Sequence, residues 1–199
     1  MPITLTSETV STSLAAVALH ASKDETRRHM CGVFIEHTGS QLRFTATSGH
    51  TLARYAHECS ALAAQVLVPS SVVAMLIAHA KKNKDAIYAV NATSVETQDA
   101  VWTFDTSNET FPQHCDRVIP AFTGAGTQGG FFGISCEYAA LAAKSFTLAN
   151  TNKLATMAIH CAGALEPMLI QSDCAPGLTV VVMPVRMDSP FAAPVKVAA

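Results

Sequence analysis

The chain has 199 residues, 49% of them hydrophobic and only 14% charged, which provides for a sizeable core and excludes intrinsic disorder. That length suits one large domain or one and a half small ones. The formal net charge of -2 and pI near 6.4 exclude a whole-molecule electrostatic grip on nucleic acid, though not a local basic patch.

The first element in chain order is a short extended "PITLT". "SETVSTSLAAVALHAS" follows as a helix. Ser7 is the expected N-cap, Glu8 places a negative charge in the first turn, and Leu14, Val17, Ala18 and Ala21 keep helical spacing. "MCGVFIEHT", "QLRFTATS" and "TLARYAHE" read as strands, the first two joined at Gly39-Ser40. The order is β-α-β-β-β.

A second unit repeats that order. It opens with the strand "AQVLVP", and "SVVAMLIAHAKKNK" forms its helix. Val72, Val73, Leu76, Ile77 and Ala80 make the apolar stripe, and Lys81, Lys82 and Lys84 crowd the C-terminal end, where cations suit the helix dipole. "AIYAVN", "SVETQ" and "AVWTFDT" are three short strands, and "FPQHCDRVIP" closes the unit. "AFTGAGTQGG" is a Gly-rich connector. A third unit runs through the strand "FFGIS", the helix "CEYAALAAKSF" and the strands "TMAIHCA", "PMLIQS" and "LTVVVMPVRM"; the tail "DSPFAAPVKVAA" has no periodicity. Three units in one order point to a repeat architecture rather than an enzyme core.

The start "MPITLTSETV" lacks a basic n-region and an apolar h-region, and no apolar run reaches the ~18 residues of a membrane span, so a soluble cytoplasmic protein is expected. The six cysteines form no C-x-x-C pair and lie in or beside apolar runs, which points to buried, reduced thiols. Cys31, His29 and His37 lack zinc-ligand spacing. In "TATSGHTLARY" a serine and a histidine flank Gly49, but they stand two apart on one turn without a G-x-S-x-G elbow, so no hydrolase is expected. No cofactor is called for either.

Four segments resemble one family, in its order and at similar spacing. "HASKDETRRHMCGVFIE", "LRFTATSGHTLARY" and "FPQHCDRVIP" look like parts of the middle domain of the bacterial sliding clamp, the beta subunit of DNA polymerase III. "TVVVMPVRM" looks like the final strand of that clamp's third domain. The resemblance implies an α+β sliding-clamp fold of repeated β-α-β-β-β units. It implies a full clamp domain over residues 1–120, a connector over 121–130, a half domain over 131–187 and a tail over 188–199. The family's first domain and the first half of its third have no counterpart in this sequence.

The resemblance also implies a function: a non-catalytic replication or repair accessory protein that binds clamp-binding peptides of DNA polymerases or repair proteins and tethers them to duplex DNA. The alternative is a groove-only module, a decoy or regulator that does not encircle DNA. The peptide groove carries over to Met30, Thr47, Gly49, His50, Leu52, Pro120, Val181, Met183, Pro184 and Arg186. The apolar members suit Leu or Phe anchors, and His50 and Arg186 suit the peptide's polar atoms. Ser48 and Thr51 replace the acidic and basic residues common beside the family's Gly-His pair, and "FPQHCDRVIP" is one residue longer than usual. Lys81, Lys82, Lys84, Lys144 and Lys153 are the expected DNA-facing cations, making sequence-independent phosphate contacts. The family's ring holds twelve units and this chain reads as three, so a tetrameric ring is the expected homo-oligomer, with a monomer or dimer as the alternative.

Overall fold

The computed structural model describes residues 2–120, 132–150, 154–163 and 165–186. The expected connector, the tail and Lys153 lie outside the described residues. Strand β1 (Ile3–Thr6) buries Ile3 and Leu5 and exposes the two threonines between and after them. Helix α1 covers residues 7–18, with a π-helical stretch at Val10–Leu14. Its N-cap is Thr6 rather than Ser7: the Thr6 hydroxyl accepts the Thr9 amide at 3.2 Å. Ser7 is already inside the helix, because its hydroxyl donates to the carbonyls of Asn83 and Ala86 and fastens the start of α1 to the next unit. A 3₁₀ segment at Glu25–Met30, capped by Asp24, leads into β2 (Gly32–His37).

Strands β3 (Gln41–Thr47) and β4 (Thr51–Glu58) complete the first unit. The second comprises β5 (Ala64–Pro69), α2 (Ser70–Lys82), β6 (Ile87–Val90), β7 (Ser94–Glu96) and β8 (Val101–Thr103), closed by a helical turn at Cys115–Val118. The third has α3 (Cys136–Ala149), β9 (Ala158–His160), β10 (Met168–Gln171) and β11 (Leu178–Val182). The expected strand at "FFGIS" is reduced to a single bridge, Gly133 with Val185.

The units are interlocked. β1 leaves its own unit and pairs antiparallel with β6; β5 likewise pairs with β2. The result is one sheet in the order β1-β6-β7-β8 and another in the order β5-β2-β3-β4-β11-β10-β9. The longer sheet runs without a break from the first unit into the third through β4 and β11.

Alternation along the strands explains what each face buries. Val33, Ile35, Phe44, Ala46, Ala53, Val180 and Val182 pack with the apolar stripes of the helices, including Leu14, Leu76 and Phe146, in the main core. α1 lies between the other two helices and packs against both. The alternate residues Leu52, Leu67, Leu169 and Val181 face the other way and meet Phe111 and Cys115 in a smaller cluster.

No disulfide joins the cysteines. Only Cys115 and Cys161 are buried, and Cys136 is exposed at the start of α3, so the expectation of generally buried thiols fails. Residues in an apolar stretch still have an outward side when the element is covered on one face only. Among the described residues no helix is long and apolar enough to cross a membrane.

Candidate functional site

The smaller cluster floors a cavity of about 170 Å³ on the sheet face opposite the helices. It opens where the first unit joins the third. Met30, Thr47, Gly49, His50, Leu52, Val181 and Met183, all expected from the sequence, line it together. Pro120 and Pro184 are half-buried and Arg186 is exposed; none of the three is on its wall.

The β3–β4 turn forms one wall. The Thr47 hydroxyl donates to the Thr51 carbonyl at 2.8 Å and accepts the Gly49 amide at 3.1 Å. Gly49 has φ +87°, a conformation that side chains rarely adopt, which is why glycine occupies the bend. The Ser48 hydroxyl is engaged with Thr51, not with His50. The His50 ring instead stacks on Tyr138 of α3, with centroids 5.8 Å apart and planes within 13°. The Met183 amide donates to the His50 carbonyl at 2.9 Å, so the end of β11 is fixed to the turn by backbone. Nothing in this arrangement presents an activated nucleophile.

The remaining wall is Pro112, His114, Cys115 and Val118, with Thr51 at the turn. The first four belong to "FPQHCDRVIP", of which the family resemblance carries over only Pro120. The Cys115–Val118 turn projects its first and last residues to one side, and that helical spacing is the signal by which they are found. Two interactions seat the segment. Phe111 stacks on Phe34 of β2, centroids 4.9 Å apart, and the Arg54 guanidinium of β4 pairs with Asp116. Burial pushes the Cys115 thiol above its ordinary pKa, so it remains a neutral apolar lining group.

The lysines lie on the helix side. Lys81 and Lys82 are exposed in the last turn of α2, Lys84 is exposed just beyond it, and Lys144 is exposed on α3. The cavity and these four lysines therefore occupy opposite faces. Among the described residues no group of three or more His, Cys, Asp or Glu side chains is placed to hold a metal ion.

Residues 4–112 match the family profile of the DNA polymerase III beta subunit, central domain. No curated protein sequence matches the chain. Solved structures do, at low identity. A DNA polymerase sliding clamp from Pseudomonas aeruginosa with ligand is 14% identical, with TM-score 0.76 over 94% of this chain and 66% of the clamp. A DNA polymerase III beta subunit from Thermotoga maritima gives 15% identity and TM-score 0.75, over 94% of this chain and 66% of that one. A sliding clamp from Bartonella birtlesii bound to griselimycin gives 17% and 0.72, over 93% and 66%. The chain thus has the sliding-clamp fold and spans about 66% of the length of these clamps.

Proposed function

The chain belongs to the DNA polymerase III beta-subunit family, and on that premise we propose that it is a sliding-clamp-like accessory protein whose groove at the β4–β11 joint binds clamp-binding peptides of polymerases or repair proteins. The observation that carries the reading is the convergence of three distant segments on one apolar cavity: Met30, the Thr47–Leu52 turn and the Val181–Met183 strand end. Flexible Met30 and Met183 adapt to differently shaped anchors, while Leu52 and Val181 give a fixed floor. His50 stands at the exposed rim, where it serves the polar atoms of a bound peptide. Pro120, Pro184 and Arg186 would extend the binding surface beyond the cavity. The role is tethering rather than chemistry.

On the helix side, Lys81, Lys82, Lys84 and Lys144 would face duplex DNA through its phosphates, independent of sequence, and Lys153, outside the described residues, is the fifth cation of that proposal. Four copies would supply the twelve units of a closed ring with two-fold symmetry. The alternative reading is a groove module that binds the same peptides without encircling DNA, as a decoy or regulator of clamp partners.

The test is fluorescence anisotropy with a labelled peptide carrying Leu and Phe anchors after a Gln. Binding at micromolar strength, competed by the unlabelled peptide, is expected. No saturable binding would remove the groove from the proposal. Retention of circular duplex but not linear duplex then separates the ring from the decoy.

A further inference from the structure

The chain contains its own specimen of a joint between units. β4 ends the first unit and β11 the third, and they pair antiparallel with Leu52 opposite Val181. Beneath them α1 meets α3, where the Ser145 hydroxyl donates to the Ala16 carbonyl at 2.8 Å. Ala16 and Ser145 stand equally far from the starts of their helices, and Leu52 and Val181 equally far along their units. A local two-fold axis therefore runs between both pairs.

The second unit has the same parts, with nothing described against them. Its counterpart of Leu52 is Val101. The β3–β4 hairpin closes on Thr47 opposite Leu52 and the β7–β8 hairpin on Glu96 opposite Val101, with turns of equal length. The turns also share a bond: Ser48 N–H to Thr51 O at 3.0 Å, and Thr97 N–H to Ala100 O at 2.8 Å. Yet Leu52 and Val181 are 3% and 1% exposed, whereas Val101 is 61% exposed. Among the described residues β8 is a sheet edge. On the helices, Ala15 of α1 is buried while Ala78, its counterpart on α2, is exposed beside Met75.

We propose that β8 pairs antiparallel with β8 of a second copy of this chain, about a two-fold axis at Val101, reproducing the β4–β11 joint. Val101 then faces Val101 of the second copy, Trp102 faces Ala100, and the two α2 helices meet along Met75 and Ala78. A second copy is the occupant because the joint already present unites two units of one kind, and a unit of that kind is self-complementary about such an axis. An open strand edge bearing an apolar residue is a template for pairing. The inference deepens the assembly part of the proposed function and does not depend on the groove.

The test is Val101→Cys in the full chain, treated with a short bifunctional thiol reagent and run on a denaturing gel. Facing positions of a hydrogen-bonded antiparallel pair lie about 5.5 Å apart, so a two-chain product is expected. Thr103→Cys is the control, since the same register holds the two Thr103 positions four steps apart, about 13 Å; it should behave like wild type. Val101→Cys reacting no faster than Thr103→Cys or wild type would overturn the pairing. Light scattering at about 100 μM adds a second readout, because interface affinities in the micromolar range are populated there. Val101→Lys should halve the assembled mass, and a wild-type mass of a single chain, or one unchanged by Val101→Lys, would also overturn it. Cross-linking with a mass that stops at two chains keeps this joint and sinks the ring; a four-chain mass that survives Val101→Lys does the reverse.

Discussion

His20 Nε2 lies 3.0 Å from Ser145 Oγ, and it is the donor in that bond, because the serine hydroxyl is committed to the Ala16 carbonyl at 2.8 Å. This fixes the neutral tautomer with the proton on Nε2. The other ring nitrogen, Nδ1, is buried with no partner. The bond joins the turn that follows α1 to α3, so a proton added to His20 loads the seam between the first and third units.

Burial holds the His20 pKa at about 4, below its ordinary 6.5. A histidine depressed in the folded state contributes stability that is present in full above pH ~6.5 and is lost as the pH falls toward ~4, about 3 kcal/mol in all at 1.36 kcal/mol per pH unit. Urea unfolding at pH 7, 5.5 and 4.5 should show this decline. His20→Gln retains an N–H donor and does not titrate, so its stability should fall much less over the same range. A residual slope comes from His57, which burial also depresses. Equal slopes in the variant and the wild type would refute the assignment.

Leu52→Ala combined with Met183→Ala removes one fixed and one adaptable apolar side chain from the groove. Peptide affinity should fall about 100-fold, close to 3 kcal/mol, as when apolar anchors lose their pocket. Met183 is half-buried, so Met183→Ala alone separates binding from stability and should account for about tenfold. Titration calorimetry on folded protein checks both, and unchanged affinity in the double variant contradicts the groove.

Charge reversal of Lys81, Lys82 and Lys84 to Glu should weaken duplex binding and flatten its salt dependence, by a slope of about 0.9 for each phosphate no longer neutralised. Peptide affinity should not change, since the lysines and the cavity are on opposite faces. Anisotropy with labelled duplex from about 50 to 200 mM salt gives the slope. An unaltered slope means that these cations face solvent only.

Gly177 allows the third unit to lie flat on β4. A Cβ there would come within 2.6 Å of both the Ala56 carbonyl and the Tyr55 ring. The Gly177 carbonyl also accepts the Ala56 amide at 2.9 Å, which leaves the segment no freedom to step back. Gly177→Ala should cost about 1–3 kcal/mol, as overpacking does. It should lower peptide affinity too, because the joint forms the groove. A melting temperature indistinguishable from wild type would contradict this.

The sequence is most legible where periodicity and chemistry act locally. "TLARYAHE" and "AQVLVP" match β4 and β5 residue for residue, and α2 and α3 begin within one residue of expectation. Gly49 is readable because a bend of this kind requires a positive φ. The first helix is shorter than its apolar rhythm suggests, since Ala21 keeps that rhythm after the helix has ended at Ala18. "FFGIS" has strand composition but little to pair with among the described residues. The exchange of β1 and β5 has no local signature, because a strand's alternation says which face is buried and not which neighbour it has. The groove is legible only in part for a related reason: Cys115 and Val118 acquire their place from the Phe34–Phe111 stack and the Arg54–Asp116 pair, which join residues distant in sequence.

The traded first strands have a consequence for how the molecule is made. Ile3 finds its partner in Val90, and Gly32 finds its own in Pro69, so neither of the first two units completes its sheet from its own strands alone. During synthesis the β2–β3–β4 meander would emerge with one flank bare until Pro69 clears the ribosome, and β1 would wait longer still for Val90. Such long-range closure favours slow, late and concerted folding. A chain cut between Glu58 and Ala64 would leave two halves that are each incomplete alone. Mixed together they should fold as partners, each returning the strand that the other lacks.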